Sequence, residues 1–159
     1  MSPASTGRLE WIGLRPERKA PVQVVEEAEA VERQGLVGDR FVGRAGGQGT
    51  RQVTVVHVDH LARVAERLGR DGALDPTGLR RNLLVSGVDL EALRRGTFRV
   101  GEALLQGTGG CPPCDRMEST VGPGARDALD GLAGITARVL RGGRLRVGDA
   151  VELLPDDAG

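Results

Sequence analysis

Apolar residues in this chain come in short runs that are separated by glycines and charged residues. Short runs rich in valine and leucine are typical of β-strands. The adjacent Gly142 and Gly143 predict a hairpin turn between two such runs. The pattern predicts eight strands, at Leu9–Leu14, Val22–Val25, Gln52–Val58, Leu83–Val85, Thr97–Val100, Ala103–Gln106, Ile135–Leu140 and Ala150–Leu154.

Helical patterns are fewer. Asp59 is placed to cap a helix that runs to Leu68 and ends at Gly69. The segment Ala28–Gln34 fits either a helix or a charged edge strand. Single turns or short helices are expected at Asp89–Arg94 and Ala125–Leu129. Many short strands with few helices predict a mainly β fold, a closed or nearly closed β-barrel, and disfavour a doubly wound α/β fold.

A chain of 159 residues is expected to form one domain. We predict a flexible N-terminus over residues 1–8, a single domain over 9–154 and a tail over 155–159. A domain of this length buries about 70% of its unfolded surface, so it needs no disulfide or metal to fold.

Charge and aromatic content disfavour two classes of partner. The 22 basic and 22 acidic residues give no net charge, and Lys19 is the only lysine. Only 2% of residues are aromatic, which leaves little to stack on nucleic-acid bases. No apolar run reaches the roughly 20 residues of a membrane span, and the N-terminus lacks signal-peptide features. We therefore expect a cytoplasmic protein without a nucleic-acid or membrane partner.

The only two cysteines lie in the motif Cys111-Pro112-Pro113-Cys114, which follows Gly109 and Gly110. Two prolines fix φ and remove two N–H donors, so the motif is expected in a stiff loop. Close cysteines in the cytoplasm are more often reactive or metal-bound than joined in a structural disulfide. A thiolate held beside glycine and Arg116 is a candidate metal ligand or nucleophile.

Three other interpretations of the cysteines are open. A thioredoxin-like motif would start a helix after a strand, but the chain lacks a βαβ pattern. A zinc site would combine His57 and His60 with the two cysteines, although zinc fingers normally place cysteine first. Inert core thiols are common, but the flanking glycines and charges disfavour this.

Arginine and glycine motifs supply candidate anion-binding groups. Arg80 and Asn82 precede a predicted strand and are expected to project to one face, where a guanidinium fork and an amide suit phosphate or a heterocycle edge. Gly35 and Gly38, followed by Asp39 and Arg40, permit a positive φ or close backbone approach. A glycine-rich loop ending at Arg51 lacks the lysine of a nucleotide P-loop. Each motif also fits an ordinary loop.

The order of these segments resembles the MOSC domain, named for the C-terminal part of molybdenum cofactor sulfurases. The resemblance covers about residues 9–154. Its segments are Gly-Leu-Val-Gly-Asp-Arg, Arg-Gln-Val-Thr-Val-Val, Leu-Arg-Arg-Asn-Leu-Leu-Val, Phe-Arg-Val-Gly-Glu-Ala-Leu-Leu, Cys-Pro-Pro-Cys and the final Gly-Ile-Thr-Ala-Arg-Val-Leu-Arg-Gly-Gly-Arg-Leu-Arg-Val-Gly-Asp.

The resemblance implies a barrel-like β fold and a molybdenum–pterin cofactor. It implies that Cys114 is the catalytic cysteine and molybdenum ligand, with Cys111 as a second, less critical cysteine. It also implies that Arg80 and Asn82 contact the cofactor and that Arg51 and Arg40 lie near its phosphate. A soft thiolate suits molybdenum, and arginine forks suit a phosphate dianion.

The implied activity is reduction of small N-hydroxylated substrates by a molybdenum-dependent oxidoreductase, with electrons from a separate reductase. One alternative is a persulfide carrier that works with a cysteine desulfurase, in which case pyridoxal phosphate would belong to that partner. The other alternative is a cofactor-binding module without turnover.

Overall fold

The computed structural model describes residues 6–17, 20–39, 52–71, 76–111 and 121–155. Its main feature is a seven-stranded barrel with the strand order β1-β11-β7-β8-β9-β5-β6, closed by pairing of β6 with β1. The β5–β6 pair is parallel, and the other pairs in the barrel are antiparallel. A short strand, β2, extends the sheet from β1. The predicted mainly β barrel is confirmed.

The eleven strands of the described residues run, from β1 to β11, over Thr6–Leu14, Gln23–Val25, Glu27–Val31, Gly35–Leu36, Val53–His57, Leu83–Ser86, Thr97–Val100, Ala103–Gly110, Ile135–Arg141, Gly143–Arg146 and Ala150–Leu153. Three short helices, from α1 to α3, span Val58–Arg67, Leu90–Arg95 and Ala125–Ala128, and a 3-10 turn covers Pro76–Leu79. All eight predicted strands are present, and β1 begins inside the segment expected to be flexible.

Alternation along the strands divides the buried residues into two groups. On β5, Val53 and Val55 face the barrel interior, which holds most of the apolar core, including Phe98. Val56 points the opposite way, into an outer cluster that also contains Leu84 of β6. Helices α1 and α3 cover this outer cluster with Leu61, Val64 and Ala125. Both faces of β5 and β6 are therefore buried.

A separate three-stranded sheet corrects two details of the sequence analysis. Strand β10 pairs with β3 rather than with β9, so Gly142 and Gly143 carry the chain from the barrel to the second sheet and do not form a hairpin. A Cβ at Gly143 would lie 2.6 Å from the backbone of Glu102, which explains the need for glycine at this crossing. The segment Ala28–Gln34 overlaps β3, which lies in the middle of this sheet and not at its edge.

Helix α1 begins two residues before the predicted start. The Nδ1 atom of His57, rather than the carboxylate of Asp59, caps it by accepting a hydrogen bond from the Asp59 N–H at 3.0 Å. The last helical residue is Arg67, and Leu68 is the C-cap. Gly69 follows with a φ of +72°, which glycine permits. Across the described ranges, no helix has the length and apolar character needed to cross a bilayer.

Candidate functional site

Strand β8 carries the chain toward the Cys-Pro-Pro-Cys motif. Its last residues, Gly109 and Gly110, pair with Thr136 and Ile135 of β9. The Cys111 N–H then donates to the Gly134 carbonyl at 2.9 Å, and the half-buried Cys111 packs against the outer cluster. The prolines and Cys114 lie outside the described residues. The structure therefore places the start of the motif at the end of β8 but does not test the position of Cys114.

A β-bulge directs this end of β8. The register shifts between Gly107 and Gly109, where bulges bend a strand and turn its side chains. Thr108 and Thr136 hold the bulge through a 2.8 Å contact between their Oγ1 atoms. Beyond it, Gly110 is exposed, and no described atom lies within 4 Å of the position that a Cβ would take. Among the described residues, no side chain covers this last glycine of the strand, which leads directly to the cysteines.

Polar side chains form a row across four neighbouring strands on the outer face of the barrel. Thr136 pairs with Thr54 of β5, and Asn82, just before β6, donates its N–H to Thr54 Oγ1 at 2.9 Å. With Thr108, these residues form what we call the threonine row. Three strand spacings of about 4.8 Å separate its ends by roughly 14 Å. The row links the Cys111 side of the barrel to the Arg-Arg-Asn segment.

Asn82 is fully buried, and its side chain makes five hydrogen bonds to described residues. Its Oδ1 accepts from Arg15 and from the N–H and hydroxyl of Thr54, at 3.0 to 3.1 Å. Its Nδ2 donates to the Gly13 carbonyl and to Asp39 Oδ1, both at 3.0 Å. In this structure Asn82 joins β1, β5 and the end of the Gly35–Asp39 segment, and its cofactor contact stays a prediction.

Arg15 and Asp39 form a buried ion pair beside Asn82. The guanidinium donates to both carboxylate oxygens of Asp39 at 3.0 Å, and the Arg15 N–H adds a bond of 2.8 Å. The side chains of Arg15 and Asp39 are 7% and 0% exposed, so solvent hardly screens the pair. Arg15 was not predicted, because no local sequence signal distinguishes it from other arginines.

Asp39 and Gln52 fix the described ends of the segment that contains Arg40 and Arg51. Both arginines lie outside the described residues, so their predicted contacts are untested. Gln52 is buried, donates to the Arg33 carbonyl and accepts from the Val139 N–H, each at 3.0 Å. Gly35 and Gly38 have φ values of +122° and +92°, as the motif predicted. The residues on both sides of this segment, Asp39 and Gln52, are therefore held by hydrogen bonds to distant parts of the fold.

Arg80 and Asn82 do not share a face, in contrast to the prediction. Arg80 has a φ of +55°, which breaks the alternation of an extended strand. Its guanidinium donates to the carbonyls of Ala20 and Glu17, whereas Asn82 points into the fold. The predicted cofactor contact of Arg80 stays untested.

Arg81, which was not among the predicted site residues, lies closer to the cysteine motif than Arg80 does. It is buried, and its Nε donates to the Ala133 carbonyl at 2.9 Å. Ala133 precedes Gly134, whose carbonyl accepts the Cys111 N–H. The only feature of the sequence that pointed to Arg81 was its position between Arg80 and Asn82.

His57 and His60 of the zinc interpretation have their ring centroids 5.6 Å apart. Nδ1 of His57 is engaged in the cap of α1. Burial lowers the pKa of His60, and the electrostatic effect of His57 and Arg63 lowers it further. Among the described residues, no three His, Cys, Asp or Glu side chains converge as metal ligands. Because Cys114 lies outside the described residues, the zinc interpretation stays untested.

Comparisons with solved structures show the same fold. The YuaD protein from Bacillus subtilis superposes with a TM-score of 0.79 at 21% identity, covering 93% of this chain and 95% of that chain. YiiM from Geobacillus stearothermophilus gives 0.75 at 17% identity, covering 96% and 77%. YiiM from Escherichia coli gives 0.70 at 19% identity, covering 96% and 72%.

A comparison with curated protein sequences found no match. The family model described as "MOSC domain" matches residues 38–152, which is well over half of the chain. That match includes the described neighbours of the cysteine motif, the threonine row and Arg81. The chain therefore belongs to the MOSC domain family.

Proposed function

We propose that this MOSC-domain protein binds a molybdenum–pterin cofactor through Cys114 and reduces small N-hydroxylated compounds. The exposed Gly110 at the end of β8 is the observation that carries the proposal. No described atom lies within 4 Å of the position that a Cβ would take at Gly110, directly before the cysteines, so among the described residues a flat polar group has room to approach the backbone there. The donor chemistry fits as well, because a cysteine thiolate is a soft ligand for a soft metal centre.

When bound, such a cofactor supplies a two-electron redox centre. The overall reaction takes up two electrons and two protons, cleaves the N–O bond and releases water. The protein's own residues bind and orient the cofactor and the substrate. Cys114 supplies the ligand sulfur, Cys111 anchors the motif through its N–H, and the threonine row holds β8, β9 and β5 in register beneath it.

Electrons are supplied by a separate reductase in this proposal. Arg40 and Arg51 are the proposed phosphate contacts, since guanidinium forks match phosphate oxygens, and Arg80 is a proposed contact to the cofactor. Because the Asn82 side chain is engaged in hydrogen bonds within the protein, we assign it a different role. It holds Asp39, the last described residue before Arg40. A cytoplasmic location belongs to this proposal.

A persulfide carrier is the second candidate, and the half-buried state of Cys111 favours it. A second thiol three residues from Cys114 is placed to resolve a persulfide by thiol exchange. In that role the protein would receive sulfur from a cysteine desulfurase, and Cys114 would carry it.

Metal analysis of protein purified from cells that make molybdenum cofactor tests the proposal. We expect stoichiometric molybdenum in the wild type and in Cys111→Ser, and its loss in Cys114→Ser. Reduction of an N-hydroxylated purine by viologen-supplied electrons should follow the molybdenum content. Molybdenum without turnover would indicate a cofactor-binding module, and a persulfide mass shift on Cys114 without molybdenum would indicate the carrier.

A further inference from the structure

The Arg81 side chain crosses β5 on the outer face of the barrel. Arg81 precedes β6, its bonding partner Ala133 precedes β9, and β5 lies between these two strands. The neighbouring segments contribute Leu79, Leu84 and Leu132 to the outer cluster. This arginine therefore places a positive charge beside an apolar region, where charge–charge interactions are stronger than in water.

Two consecutive carbonyls connect this charge to the cysteine motif. Ala133 accepts from Arg81 Nε, and Gly134 accepts from the Cys111 N–H, each at 2.9 Å. Two hydrogen bonds of about 3 Å and one residue of roughly 3.5 Å put Arg81 Nε within about 10 Å of the Cys111 nitrogen. A Cβ at Gly134 would overlap the Val55 carbonyl, so only glycine lets this turn lie so close to β5.

We propose that Arg81 is a positioning residue that creates a positive potential where the cysteine motif leaves β8. The potential favours anionic groups there, namely a thiolate and the phosphate-bearing pterin, and this purpose rests on the proposed function. The neighbouring Arg80 guanidinium is directed to the Ala20 and Glu17 carbonyls rather than to this turn.

Paired alkylating reagents measure this potential without any cofactor. In Cys114→Ser protein, Cys111 is the only thiol, and we compare its rates with anionic iodoacetate and neutral iodoacetamide at one pH. Both reagents attack the same thiolate, so the ratio of the two rates reports the local potential. We expect Arg81→Gln to lower the iodoacetate-to-iodoacetamide ratio about threefold and Arg81→Lys to restore it.

Arg67→Gln is the matched control. Arg67 also donates to backbone carbonyls, those of Ala128 and Asp130, but it lies in the last turn of α1. Its loss should leave the ratio unchanged. An unchanged ratio in Arg81→Gln, or an equal fall in Arg67→Gln, would overturn the inference.

Two further measurements keep the test decisive. Arg81→Met retains the aliphatic stem and replaces the glutamine variant if that variant does not fold, as judged by circular dichroism. The folded Cys114→Ser protein should also show a ratio about threefold above that of a peptide of residues 106–113. Equal ratios for protein and peptide contradict the inference. Absence of molybdenum from the wild type would instead refute the proposed function and leave these ratios unaffected.

Discussion

At the scale of single residues, Asn82 shows how one side chain can serve the fold and the candidate site together. The sequence placed it in a motif that suggests ligand binding. The structure surrounds it with Thr54, Gly13, Arg15 and Asp39, and its polar groups are engaged there. Buried amides of this kind fix the relative position of the segments that they join. The two roles make different predictions for protein without cofactor.

Asn82→Ala should destabilise the cofactor-free protein by about 1–3 kcal/mol, because the Thr54 N–H and the Gly13 carbonyl lose buried partners. Asp39→Asn should cost about 3–5 kcal/mol, because it leaves the buried charge of Arg15 without its carboxylate. Urea unfolding at pH 7 measures both. Glu91→Gln is the control, since its bonds to Arg94 and Arg95 are exposed. Wild-type stability in Asn82→Ala would show that Asn82 serves only a ligand.

At the scale of elements, β8 carries two glycines with opposite surroundings. Gly107 donates its N–H to the Gly96 carbonyl at the end of α2. A Cβ at Gly107 would overlap the carbonyl oxygens of Leu93 and Arg94, whereas a Cβ at Gly110 would meet no described atom within 4 Å. The first glycine lets α2 pack closely on the strand, and the second leaves the strand end uncovered by the described residues.

Gly107→Ala should therefore destabilise the protein by about 1–3 kcal/mol by displacing α2. Gly110→Ala should leave the unfolding midpoint unchanged and lower the molybdenum content, because its methyl group occupies the proposed approach to the backbone. Thermal unfolding and metal analysis of both variants separate these effects. Full molybdenum content in Gly110→Ala would place the cofactor elsewhere.

The same elements show what sequence patterns can predict. The eight strands were found because each has its own apolar run and turn residues, which are local signals. Strands β4 and β10 were missed, since Gly35–Leu36 has only two residues and Gly143–Arg146 is largely charged. The partner of β10 could not be predicted, because pairing is set by distant residues such as Ala28. The Arg15–Asp39 pair escaped prediction for the same reason.

At the scale of the whole molecule, barrel closure depends on the first described residues. Gly7 pairs with Val151 of β11, and a Cβ there would overlap the Ser86 carbonyl of β6. Gly7→Ala should thus cost about 1–3 kcal/mol by opening the seam between β6, β1 and β11. Deletion of residues 1–8 should destabilise the protein as well. An unchanged urea midpoint in both variants would show that closure contributes little to stability.

Acid sensitivity is also a property of the whole molecule, and His60 is expected to contribute to it. Burial, followed by the electrostatic effect of His57 and Arg63, lowers the pKa of His60 below its ordinary value of 6.5. Between the folded pKa and 6.5 the unfolded chain binds more protons, so the free energy of unfolding falls as the pH drops through this window. Below the folded pKa the penalty is constant. We expect His60→Gln to show a smaller loss of stability than the wild type between pH 7.5 and 5 in urea titrations.

Asp59→Asn should lose more stability than the wild type over the same pH range. The Asp59 carboxylate raises the pKa of His60, so its removal lowers that pKa further. An identical pH profile in His60→Gln would assign the acid sensitivity to other groups.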